Sequence, residues 1–135
     1  MTLVKIEVTF AERHMINNIL STLPNPSLDT ARFVREWRRR LELRTVAKDV
    51  EALTEEARAT DTPLDWDDLV EFAPDRHAYT IDNGYVASLL TEMKTRSWAV
   101  KGPNGVDIPI PASQLEIIAD LEDALLQAKE VKDEQ

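Results

Sequence analysis

The amino-acid sequence predicts an α+β fold: about five helices around a small antiparallel sheet, with a β-hairpin near residues 98–110. Three patterns carry that expectation. Residues 3–10 alternate apolar and polar, and several later segments repeat apolar residues every three or four positions. Gly102-Pro103-Asn104-Gly105 lies between two short alternating runs. A chain of 135 residues, 43% of them hydrophobic, has enough apolar content for one modest core. One globular domain is expected over residues 1–130, with a frayed tail at 131–135.

In Leu3–Phe10, Val4, Ile6, Val8 and Phe10 point one way and Lys5, Glu7 and Thr9 the other, as in a half-buried strand. Thr9 with Glu12 makes a capping box, so a helix starts directly after it, with Met15, Ile16, Ile19, Leu20 and Leu23 on one face. Leu23-Pro24-Asn25-Pro26-Ser27 stops that helix. Asp29 is the expected cap of a second helix, with Phe33, Val34, Trp37 and Leu41 inward and the arginines outward. A break is expected at Glu42-Leu43, with Thr45 capping a third helix bearing Val46, Val50, Leu53 and Ala57. The spacing from Leu43 to Ala57 also fits one long helix.

Residues 60–77 are polar, acidic and interrupted by Pro63 and Pro74, which predicts a loop pinned by Trp66, Leu69 and Phe72 with at most one helical turn. Ala78-Tyr79-Thr80-Ile81 reads as a second strand, paired with the first. Asp82 caps a helix carrying Tyr85, Val86, Leu89, Leu90 and Met93. Residues 98–101 and 106–110 form the two arms of the hairpin, with Pro109 confining the second arm to an edge. Ser113 with Glu116 is read as a capping box for a last helix through Leu115, Ile118, Leu121, Leu125 and Ala128, which frays near Val131.

Charge is segregated along the chain. The formal net charge is −9, yet seven basic side chains against two acidic ones fall between Arg32 and Lys48. Ten acidic residues opposed only by Arg58 follow from Asp49 to Asp75, and acids dominate again from Glu116. The overall field repels nucleic acid. There is no cysteine, so disulfides, thiolate nucleophiles and thiolate metal sites are excluded, as suits a reducing cytoplasm. Lys5 and Glu7 interrupt the apolar run that a secretory signal needs, and no stretch is long enough to span a bilayer. A cytoplasmic protein is expected.

Catalytic motifs are sparse. His14 and His77 have no histidine at i+3 or i+4, and no Gly-x-Ser-x-Gly turn is present. Asp65, Asp67, Asp68 and Glu71 carry oxygen ligands for a hard cation, but an EF-hand counted from Asp65 would put Val70 where Gly is needed and Arg76 where Glu is needed. Pro74-Asp75 with Glu92-Met93-Lys94 matches the short Pro-Asp…Glu-x-Lys pattern of metal-dependent nucleases. That chemistry needs Glu and Lys on one strand face, whereas Leu89, Leu90 and Met93 mark a helix here. With three glycines and no Gly-rich loop, nucleotide binding has no support and no cofactor is expected.

The positive signal is the arginine stripe. Arg32, Arg35 and Arg39 lie along one helix flank with Arg38 and Arg40 nearby. Glu51, Glu55 and Glu56 of the next helix are the expected intramolecular partners. Such a face also fits phosphates, and the acidic surface fits a DNA mimic.

The order of elements resembles that of small bacteriophage-encoded accessory proteins. The likeness lies in the strand–helix opening Leu3–Leu23, the charged helix Ala31–Leu43, the strand-capped helix Tyr79–Leu90 and the closing helix Leu115–Leu126; the hairpin departs from it. The resemblance implies a non-enzymatic regulatory protein that binds a host machine, such as RNA polymerase, a nuclease or a defence complex. The surfaces expected to meet a protein partner are Arg32, Arg35, Arg38 and Arg39 with the hairpin tip Pro103-Asn104. A nucleic-acid-directed protein is the alternative reading, and a nuclease using Asp75, Glu92 and Lys94 the remote one. Homodimerisation through a helix face fits the same pattern.

Overall fold

The computed structural model describes residues 2–23, 27–98, 100–108 and 110–131. Its elements run β1 (Leu3–Val8), α1 (Phe10–Ser21), α2 (Leu28–Arg40), α3 (Leu43–Ala59), α4 (Trp66–Phe72), β2 (His77–Asp82) and α5 (Asn83–Thr95). They continue with β3 (Val100–Lys101), β4 (Asp107–Ile108), α6 (Ala112–Leu126) and β5 (Lys129–Glu130). The fold is mostly helical with a small antiparallel sheet, as the sequence predicts.

β1 is the central strand, ordered β2-β1-β5, and its alternation decides which face is covered. Val4, Ile6 and Val8 are at most 4% exposed, while Lys5 and Glu7 face outward. β2 pairs antiparallel along the whole of β1, from Leu3 opposite Asp82 to Val8 opposite His77, and brings Ile81 into the core. The Thr9–Glu12 capping box forms as expected, with both reciprocal contacts at 3.2 Å, and launches α1 straight from the strand. Burial of Met15, Ile16, Ile19 and Leu20 makes α1 the central helix, packed by α3, α4 and α6.

A buried ion pair locks this opening unit. Glu12 is only 3% exposed, and Arg76 grips both of its carboxylate oxygens at 2.8 and 2.9 Å. The same guanidinium donates to the Glu7 carbonyl at 2.9 Å, which ties the approach to β2 onto β1 and α1 together.

Several expectations are corrected. The second helix is capped by Ser27, whose side chain accepts from the Thr30 amide at 3.1 Å. Asp29 instead sits in the first turn, where a negative charge complements the helix dipole. α3 begins at Leu43 and Thr45 does not cap it. The break itself falls at Glu42 as expected, in the left-handed region, φ 54°, because Leu41 and Leu43 on either side must both reach the core.

Residues 66–72 form a sixth helix where a loop was expected. Asp65 and Asp68 cap it reciprocally at 3.0 and 3.1 Å, with Asp doing the work usually done by Glu at the third helical position. Leu69 is buried, Phe72 meets Phe10 at 5.0 Å, and Trp66 lies on His14 at 5.0 Å. The last helix starts at Ala112 behind Pro111, whose fixed φ of −58° suits a helix entry. Ser113 therefore lies inside the first turn and makes no capping box.

The chain does not simply fray after that helix: Lys129–Glu130 pairs with β1, and the Val131 amide donates to the Leu3 carbonyl at 3.0 Å. The hairpin is as expected, Val100 opposite Ile108 and Lys101 opposite Asp107, with Gly105 supplying the left-handed φ of 74° that its turn requires. Pro24, Asn25, Pro26, Pro109 and the tail beyond Val131 lie outside the described residues. Among the described residues, no helix is long and apolar enough to cross a membrane.

Candidate interaction surface

The orientation of α2 is set by what it buries. Trp37 and Leu41 are fully enclosed, and Phe33 packs edge-on against Trp37 at 6.3 Å and Tyr85 at 5.5 Å. With the 33-37-41 seam turned inward, helical geometry puts Arg32, Arg35, Arg38 and Arg39 on the exposed side. The inward and outward sides of this helix are as the sequence predicts, except that Phe33, Val34 and Arg40 lie half-buried.

The arginines find partners on their own helix. Arg39 donates to Glu36 from Nε at 3.0 Å and from Nη2 at 2.8 Å, and Arg40 lies 3.5 Å from the same carboxylate. Arg39 holds the Glu36 carboxyl below the usual carboxylate range, first through these hydrogen bonds and then through its charge. Arg32 stands 3.6 Å from Asp29. Among the described residues, no ion pair joins these arginines to Glu51, Glu55 or Glu56, against expectation. All three glutamates project from exposed positions of α3, and the turn at Glu42 sends that helix away from them.

Arg35, Arg38 and Arg44 have no carboxylate partner among the described residues. They surround a groove of about 780 Å³ between α2 and the start of α3. Its apolar lining comes from Ala31 and Val34, its polar end from Ser27 and Thr30, and its far wall from Glu42, Arg44 and Thr45. Arg35 and Arg39 also border a second depression of about 450 Å³ that reaches Arg32, Leu3, Asp82 and Tyr85. Three of the four expected arginines thus share one groove, and Arg32 belongs to its neighbour. Arg44 joins them through the break at Glu42, whose place the sequence predicts but whose left-handed geometry it does not.

Pro103 and Asn104 are exposed at the hairpin tip, but neither borders the arginine groove. At the hairpin base, Trp98 donates from Nε1 to the Met93 carbonyl at 3.3 Å. Arg96 lies 5.6 Å from its ring and joins Glu92 at 2.8 Å, so Trp98 and Glu92 serve a structural clasp. Glu92 and Lys94 are on a helix, as predicted, with Glu92 half-buried and Lys94 exposed, while Asp75 precedes β2. His14 is half-buried on Trp66 with Nδ1 unpartnered, and burial holds its pKa below the ordinary value. Among the described residues, no three His, Asp or Glu side chains converge as a metal site.

Comparison with protein-family models, with curated proteins and with solved structures finds no match for this chain.

Proposed function

We propose that the protein is a non-enzymatic binding protein that docks an acidic protein partner in the arginine groove. One observation carries the reading: among the described residues, Arg35, Arg38 and Arg44 stand without carboxylate partners around a groove whose apolar lining is Ala31 and Val34. Unpaired guanidinium groups beside apolar surface are the ingredients of a protein-protein hot spot, where the planar head meets carboxylates and the stem packs. The apolar lining of Ala31 and Val34 favours a protein ligand, which can cover it, over a phosphate backbone, which cannot. A host machine such as RNA polymerase or a defence complex is the partner class to screen first.

The test is capture from a cytoplasmic lysate with tagged protein, with and without nuclease treatment, read by mass spectrometry. A nuclease-resistant protein that is lost on reversing Arg35 and Arg38 to Glu supports the reading. Recovery of nucleic acid alone, with low-salt binding that collapses as salt rises, overturns it in favour of phosphate recognition.

A further inference from the structure

The groove has a chemical counterpart on the same chain. α6 carries an exposed stripe in which Leu115 is 47% and Leu126 58% exposed, with Ala119 exposed between them. Glu116, Asp120 and Asp123 are also exposed and follow at successive turns beside that stripe. Among the described residues none of these three carboxylates forms an ion pair, although Asp120 and Asp123 border a polar depression with Lys5 and Lys129. An acidic helix face with two protruding leucines is the complement of a basic groove lined by Ala31 and Val34.

The lengths match as well. From Ser27 to Arg38 the groove follows α2 over a rise of roughly 16 Å, and the stripe from Leu115 to Leu126 covers the same rise on α6. We infer that the occupant of the α2 groove is the outer face of α6 from a second copy of this chain. This rests on the reading of the groove as a protein-docking surface. Leu115 lies over Ala31 and Val34, and Glu116 and Asp120, one turn apart, pair with Arg35 and Arg38. Because donor and acceptor surfaces are different patches, the contact is heterologous, and a pair closes only if both grooves fill at once. At physiological ionic strength the repulsion between two copies of net charge −9 is screened beyond about 8 Å, which leaves the contact pairs to decide.

Sedimentation equilibrium of the full chain tests the inference with two charge-reversed variants. One carries Arg35→Glu and Arg38→Glu; the other carries Glu116→Arg and Asp120→Arg. The wild-type mass is expected to rise above 15.3 kDa with concentration, and each variant alone to associate at least about ten-fold more weakly. An equimolar mixture of the two is expected to associate again, because each groove then faces an α6 of opposite charge. That restoration cannot come from misfolded variants. A wild-type chain that stays monomeric at millimolar concentration, or a mixture that fails to associate, overturns the inference. If the chain stays monomeric while the groove variant still loses a lysate partner, only the choice of occupant fails and the docking reading stands.

Discussion

Glu36 grips Arg39 through two hydrogen bonds, 2.8 and 3.0 Å long, less than one helical turn along α2. The pair neutralises one guanidinium at the groove rim, and among the described residues Arg35 and Arg38 beside it have no carboxylate partner. Because the Glu36 carboxyl is held below its ordinary value of 4.5, the pair is fully formed above that pH and is lost only as pH falls through the lowered value. Glu36→Gln frees Arg39 and Arg40 at neutral pH. A few-fold gain in affinity for an acidic partner is expected, with a stability change below about 1 kcal/mol because the pair faces solvent. Titration of the partner against both proteins checks it, and weaker binding by the variant contradicts it.

Trp37 has no exposed surface, and its indole N–H is buried without a hydrogen-bond partner among the described residues. Trp37→Ala leaves a large cavity under α2 and is expected to cost about 4 kcal/mol in urea unfolding. Trp37→Phe fills most of the space and removes the unpaired donor, so its cost is expected to stay near 1 kcal/mol. Equal losses for the two variants contradict this account of the site.

The Glu12–Arg76 clasp predicts an asymmetric response. Arg76→Ala strands a carboxylate that is 3% exposed, though water enters where the half-exposed arginine stood, and a loss of about 2 kcal/mol is expected. Arg76→Lys keeps the charge but not the two-pronged contact, so it is expected to recover only part of that loss. Chemical denaturation of the three proteins at pH 7 supplies the comparison.

His14 gives a pH dependence of defined sign. Burial lowers its folded-state pKa, so the unfolded chain takes up the proton first as pH falls below about 6.5. Stability is therefore complete above that pH and declines below it until the folded-state value is passed. Replacing His14 with Phe keeps the stack on Trp66 and is expected to flatten the stability change between pH 7.5 and 5.5. An unchanged slope in the variant assigns the effect to other groups.

The elements legible in the sequence are those whose signals are local. The alternation of Val4, Ile6 and Val8, the Thr9–Glu12 box and the Asp82 cap each depend on residues within four positions of one another. The pairing of β1 with residues 79–81 follows from having two alternating strands and one core. What escaped depends on distant partners. β5 is two residues long and exists only because the edge of β1 is there to receive it. α4 hides in an acidic stretch because Asp68 takes the role of Glu in its cap.

The candidate surface divides in the same way. The outward direction of Arg35, Arg38 and Arg39 follows from the Phe33, Trp37 and Leu41 seam. The placement of Arg44 beside them requires a positive φ at Glu42, a residue with no intrinsic preference for it. The acidic stripe of α6 is visible in the sequence only as a charge bias, since Leu115, which periodicity places on the inward face, is exposed in the fold.

Two doubly reversed variants separate the groove from the general charge of the molecule most directly. Arg35→Glu with Arg38→Glu and Arg58→Glu with Lys94→Glu change net charge equally, but only the first pair lines the groove. Partner affinity is measured for both at physiological salt, alongside thermal melts that establish the fold. The account predicts at least about a ten-fold loss for the groove variant and little change for the other. Equal losses would show that binding follows overall charge, and no loss in either would remove the groove as the interaction surface.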